Sequence, residues 1–149
     1  MLRIVAADPA SAEALRLIAQ LDAVLHQITG DSGASSFDPQ DVAGDGAAFV
    51  IAYDASGVAV GCGALRRLDG DTGELKRMYA QLGSGAGAFI LAELERRACA
   101  CAYRRLWLST RRVNARALRF YGRHGYTAVA PWGRYIGREA SVCLGRDLA

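Results

Sequence analysis

The chain has 149 residues, enough for one ordinary domain that buries roughly 70% of the surface its unfolded chain exposes. Hydrophobic residues make up 52% and charged residues 22%, which excludes a disordered chain. No apolar run approaches the roughly 20 residues of a membrane-spanning helix, and the opening MLRIVAADPAS lacks the apolar stretch of a secretion signal. A formal charge of +3 and a pI near 8.8 are too small an excess to argue for nucleic acid. The expectation is a soluble, cytoplasmic protein with neither a nucleic-acid nor a membrane partner.

Leu2 to Val5 reads as a short first strand. Asp8 or Ser11 can cap a helix running to about Ile28, with Leu15, Ile18, Leu21 and Leu25 on one stripe and Gly30 as its stop. Asp31 to Gly46 is polar and rich in glycine and serine, a loop with one short helical turn near Pro39. Phe49 to Tyr53 and Val58 to Arg66 flank the turn residues Asp54-Ala55-Ser56-Gly57 and form a hairpin. Glu74 to Tyr79 adds a third antiparallel strand. Ala88 to Ala102 is a helix with Leu91, Leu94, Ala98 and Cys101 inward and a Glu93/Arg97 pair on the wet side. Arg105 to Ser109 is a strand, and Asn114 to His124 a helix that sends Arg116, Arg119 and Arg123 outward. Short strands near Tyr126 to Val129 and Ala140 to Leu144 close the chain. The order β-α-βββ-α-β-α-ββ describes one mixed α/β sheet with helices on its faces, a single domain over 1–149.

The four cysteines form no Cys-x-x-Cys pair and lie in apolar segments, so Cys62, Cys99, Cys101 and Cys143 read as buried thiols. With only His26 and His124, a histidine-rich metal centre is not expected. Arginines crowd the C-terminal half, a field that suits a polyanionic small ligand or a solvated helix face.

Leu82-Gly83-Ser84-Gly85-Ala86-Gly87 lies between a strand and a helix. There converging backbone N–H groups, absent Cβ atoms and the helix dipole favour an anion. A tight turn with no ligand is the competing reading. A Walker loop would need Gly-Lys-Ser/Thr, and a Rossmann unit would need G-x-G-x-x-G with an acidic residue closing the next strand. Neither is present, since that strand ends Ser109-Thr110-Arg111. Coenzyme A remains, its pyrophosphate on the loop.

At this point the residues resemble a known family. Glu74-Leu75-Lys76-Arg77-Met78-Tyr79, the glycine loop and Leu91-Ala92-Glu93-Leu94-Glu95 look like the acetyl-CoA motif of GNAT acetyltransferases. Asn114, Ala117, Phe120-Tyr121 and Gly125-Tyr126 resemble the second motif, N-x-x-A-x-x-F/L-Y-x-x-x-G-F/Y. Gly61-Cys62-Gly63-Ala64-Leu65 and the tail Pro131-Trp132-Gly133-x-Tyr135 are similar to a bacterial branch that acts on small molecules. Leu82 stands where the family has Arg or Gln, with Gln81 as a substitute in a shifted register, and the segment before the loop is shorter than usual.

The resemblance implies a GNAT fold: a mostly antiparallel sheet with a splayed parallel pair, Glu74 to Ala80 and Arg105 to Ser109, and helices on both faces. It implies an acetyl-CoA-dependent N-acetyltransferase whose acceptor is a small-molecule amine attacking directly. The alternative is a non-catalytic binding or regulatory protein with a weakened coenzyme A site. Met78, Tyr79, Ala80, Gly83, Ser84, Gly85, Ala86, Gly87 and Asn114 would hold the cofactor. Tyr121 would be the general acid and Glu74 the base, unless Tyr121 is simply core and Glu74 a surface carboxylate paired with Lys76 or an arginine. Trp132, Tyr135 and His26 are the candidates for the acceptor site, although His26 also fits a solvated pair with Asp22. The resemblance admits a homodimer and no metal.

Overall fold

The computed structural model describes residues 1–31, 39–42 and 44–148. The loop expected over Asp31 to Gly46 therefore lies partly outside the described residues. The strands are β1 (Arg3–Ala6), β2 (Ala48–Tyr53), β3 (Ala59–Arg67), β4 (Thr72–Ala80), β5 (Arg105–Arg111), β6 (Thr127–Ala128) and β7 (Ser141–Asp147). The helices are α1 (Ala12–Thr29), α2 (Ala86–Ala100) and α3 (Ala115–Arg123), with 3₁₀ turns at Pro39–Val42 and Gly133–Tyr135. The sheet runs β1-β2-β3-β4-β5-β7-β6, and β4–β5 is its one parallel pair. Among the described residues no helix is long and apolar enough to cross a membrane.

Local chemistry sets the ends of α1. The Ser11 side chain accepts from the Ala14 N–H, and Gly30 closes the helix at φ 78°. The buried stripe, however, is Ala14, Leu17 and Leu21, while Leu15 is 51% exposed. The expected stripe is thus rotated by about one residue at its N-terminal end. The reason lies in the facing sheet: Ala59, Cys62 and Ala64 form a shallow surface that accepts a helix face begun by Ala14.

Helix α2 packs on the opposite face through Ile90, Leu91 and Leu94, each at most 1% exposed. Each contributes about 1.5–3 kcal/mol by leaving water. Ala117, Leu118, Phe120 and Tyr121 of α3 join this second cluster. Strand β3 lets α2 descend onto it by presenting glycine. A Cβ on either Gly61 or Gly63 would stand 2.8 Å from the Ile90 side chain, and one on Gly63 would stand 2.9 Å from that of Leu94.

Two irregularities shape β4. Its pairing with β5 covers only Thr72↔Arg105, Gly73↔Leu106 and Glu74↔Trp107. Beyond that β4 follows β3 and β5 follows β7, so the parallel strands splay apart. The second is a bulge: the register with β3 passes from Ala64↔Lys76 to Cys62↔Tyr79, with Arg77 at φ 52°. That backbone costs a non-glycine residue about 1–3 kcal/mol. Leu75 and Met78, three residues apart, consequently share the α2 side, while Arg77 turns to α1 and pairs with Asp22.

Only part of the cysteine expectation holds. Cys62 and Cys143 are buried and Cys101 is half-buried, but Cys99 is exposed. Ala98 takes the inward position of α2, and the next residue falls about 100° round the helix. Burial pushes the Cys62 thiol up to about 12, against the opposing effect of Arg77. A thiol-reactive dye at about pH 8 therefore labels Cys99 readily in the folded protein and Cys62 only after denaturation. Mass mapping of the labelled peptides checks this.

Candidate functional site

The splay between β4 and β5 opens a cleft of about 190 Å³. Its walls are β4 from Glu74 to Met78, β5 from Leu108 to Arg111, and the start of α3. Leu21, Leu25 and Thr29 of α1 close one side, and Arg134, Tyr135 and Arg138 close another.

Glu74 lies where the β4–β5 ladder ends. It is 2% exposed, and its Oε1 accepts from Arg66 Nε at 2.7 Å. Arg66 sits opposite it in the β3 register and is itself 30% exposed. The carboxylate is therefore buried, contrary to the surface reading, and an arginine offsets its desolvation. Lys76, two residues on, also lines the cleft. Partial burial lowers its ammonium below the ordinary value, opposed by the charge of Glu74.

Tyr121 reaches the cleft from α3 and is 7% exposed. Its ring meets Phe120 and Tyr126 edge-on, at 5.1 Å and 5.7 Å between centroids. Burial pushes its phenol well above the usual range, so the proton stays on at neutral pH. Asn114 caps α3: Oδ1 accepts from the Ala117 N–H at 3.2 Å, and the residue lines the cleft. Capping engages Oδ1, and the side-chain NH₂ is the group with which it can meet a ligand.

Met78 lines the cleft, whereas Tyr79, Ala80 and the glycine loop continue beyond it along β4. Past Glu74, β4 makes no ladder bond to β5, so its gap-side edge is open to an extended, amide-bearing arm. The loop suits phosphate. Gly83 and Gly85 adopt φ 78° and 70°, and a Cβ on either would meet nothing within 4 Å. Ser84 Oγ accepts from the Ala86 N–H at 3.2 Å. Gly87 serves a different purpose, since a Cβ there would stand 3.2 Å from the Phe120 ring. The open strand edge, the amide-rich loop and the start of α2 together fit coenzyme A. The Gln81 side chain is turned to α1, its Nε2 donating to Gln20 Oε1 at 3.1 Å.

Two of the acceptor-site candidates lie away from the cleft. Trp132 does not line the cleft; its ring packs against Trp107 and Tyr135, with centroids at 5.2 Å and 5.4 Å. Trp107 is half-buried in this stack rather than fully core. His26 is exposed and off the cleft, because the α1 residues that line it recur every fourth position from Leu21. Its expected partner Asp22 pairs with Arg77 instead. Tyr135 does line the cleft, where burial raises its phenol and Glu74 raises it further. Sequence reasoning missed Lys76, Arg134 and Arg138 as lining residues. Arg134 is the unassigned position of the Pro131-Trp132-Gly133-x-Tyr135 tail, and so it was within reach.

The sequence profile of the Acetyltransferase (GNAT) family matches residues 17–126. An IAA acetyltransferase from Azospirillum brasilense is 30% identical over 145 residues, covering 95% of this chain and 94% of that protein. A Klebsiella pneumoniae structure, proposed to be an acyl-CoA N-acyltransferase, superposes with a TM-score of 0.84 at 30% identity, covering 100% of this chain and 99% of the other. A GNAT family acetyltransferase from Elizabethkingia anophelis with acetyl-CoA bound shares the fold, at a TM-score of 0.72 and 15% identity, over 99% and 98% of the two chains. With its splayed strands, glycine loop and buried tyrosine, this chain belongs to the GNAT family and is an acetyltransferase that uses acetyl-CoA.

Proposed function

We propose that the chain acetylates the primary amine of a small molecule by direct attack, with Glu74 as base and Tyr121 as acid. The observation that carries this reading is that Glu74 and Tyr121, from separate elements, line one cleft where β4 leaves β5. Acetyl-CoA, when bound, supplies an acetyl group already activated as a thioester. The backbone of Met78, Tyr79 and Ala80, the loop Gly83-Ser84-Gly85-Ala86-Gly87 and the Asn114 side chain would hold it.

Magnitudes rank the two roles. A primary amine with a pKa of about 10.4 costs about 4.6 kcal/mol to deprotonate at neutral pH, whereas a thiol of about 8.5 leaves readily. Proton removal is the larger burden. Glu74, buried on the cleft and held in place by Arg66, is positioned to accept that proton through water. Tyr121 keeps its phenolic proton for the departing sulfur.

Calorimetric titration of acetyl-CoA, with desulfo-CoA and ATP as controls, followed by an amine panel read by thiol release, tests the reading. Micromolar cofactor binding and amine-dependent release are expected. Tight binding without release for any amine would sink it.

A further inference from the structure

The cleft has two chemically different ends. Its inner end holds Glu74, buried and paired with Arg66. Its solvent-exposed mouth holds Arg134 and Arg138, with the half-buried Arg111, from two segments that are fastened together. Arg111 pairs in register with Ser141, and the Arg112 N–H donates to the Ala140 carbonyl at 2.8 Å. The loop between is itself ordered, with Arg138 N–H donating to Tyr135 O and Ser141 N–H to Arg138 O, each at 3.1 Å.

Charge follows the same division. Among the described lining residues, Lys76, Arg77, Arg111, Arg134 and Arg138 outnumber Asp31 and Glu74. Among the pairings at the cleft, Asp22 meets Arg77, Asp31 meets Arg111, and Glu74 meets the additional cation Arg66. Asp41 also acts on Lys76. Guanidinium groups lining a cleft favour an acceptor that carries an anion beside its amine.

Resting on the amine-acetylation reading above, we propose that the acceptor is an amino-acid-type zwitterion. Its carboxylate is held by Arg134 and Arg138 at the mouth and its amine is turned inward to Glu74. Planar guanidinium groups suit this role because they meet a carboxylate with two parallel hydrogen bonds. Tyr135, which lines the same cleft, supplies the wall along which the acceptor's carbon skeleton lies.

The experiment uses the full chain loaded with coenzyme A and two probe pairs, phenylalanine with phenethylamine and leucine with isopentylamine. Calorimetry reads binding, and thiol release with acetyl-CoA reads turnover. In at least one pair the amino acid is expected to bind about tenfold tighter than its decarboxylated partner. The Arg134→Gln/Arg138→Gln double variant should bring that ratio close to one while acetyl-CoA affinity stays at the wild-type value.

Equal binding within both pairs overturns the proposal, as does binding of none of the four probes at millimolar concentration. A ratio that survives the double variant also overturns it. Thiol release from every amine without preference would remove this proposal and leave amine acetylation standing. Carboxylate-dependent binding without any release would remove amine acetylation and the acceptor role with it, leaving only a carboxylate-binding cleft.

Discussion

At about pH 7, Glu74→Gln turns over about 10²-fold more slowly than the parent protein, and the deficit shrinks as pH rises towards the pKa of the acceptor amine. The sign follows from where the proton resides. Below its own pKa the amine arrives as an ammonium, and without a carboxylate only the small unprotonated fraction reacts. Each unit of pH enlarges that fraction about tenfold, so the variant gains more than the parent, which already has a base. A full pH–rate profile of both proteins separates this role from a structural one. If Glu74 only anchors Arg66, the deficit will be the same at every pH. The stability cost is modest, about 1 kcal/mol in denaturant melts. Arg66 is 30% exposed and can rehydrate once its partner is neutral, unlike a cation sealed in a core.

Tyr121→Phe is expected to lower kcat by about 10-fold to 10²-fold and leave acetyl-CoA affinity within about twofold. The substitution removes one oxygen and keeps the ring that packs edge-on between Phe120 and Tyr126. Burial holds the phenolic proton in place, so its value lies in being available at the moment the sulfur leaves. The smaller effect compared with Glu74 reflects the easier of the two proton transfers. Single-turnover kinetics with calorimetry on the same preparation provide both numbers. An unchanged rate would make Tyr121 a packing residue.

Much of the architecture was legible because hydrophobic period and turn chemistry agree along the chain. Ser11 and Gly30 bound α1 as capping rules require, and Asn114 opens α3. The stripe of α1 was harder. Periodicity fixes spacing, but which face is buried depends on the small residues of β3 that receive it. The inward Ala14 therefore outranked the larger Leu15.

The site was legible in its strand and helix residues and less so in its loops. Glu74, Met78, Asn114, Tyr121 and Tyr135 all line the cleft, each carried by a motif. Trp132 does not line it, because an aromatic residue before a turn can face either way, and here it stacks on Trp107. His26 was displaced by one helical step. The bulge at Arg77 has no compositional sign at all: a positive φ at arginine is sustained by tertiary contacts, including the pairing with Asp22. Arg134 and Arg138 gain meaning only once the last loop is fastened beside β5.

The open edge of β4 past Glu74 bears on how this protein can diversify. That edge consists of peptide groups, which every residue except proline supplies alike, so most substitutions leave it unchanged. The facing walls at Leu21, Leu25, Arg134 and Arg138 are made of side chains, and each codon change there alters shape or charge. Mutation consequently falls unevenly on the two halves of the gap. Descendants of this sequence can drift in what they accept while keeping the same means of gripping an extended donor.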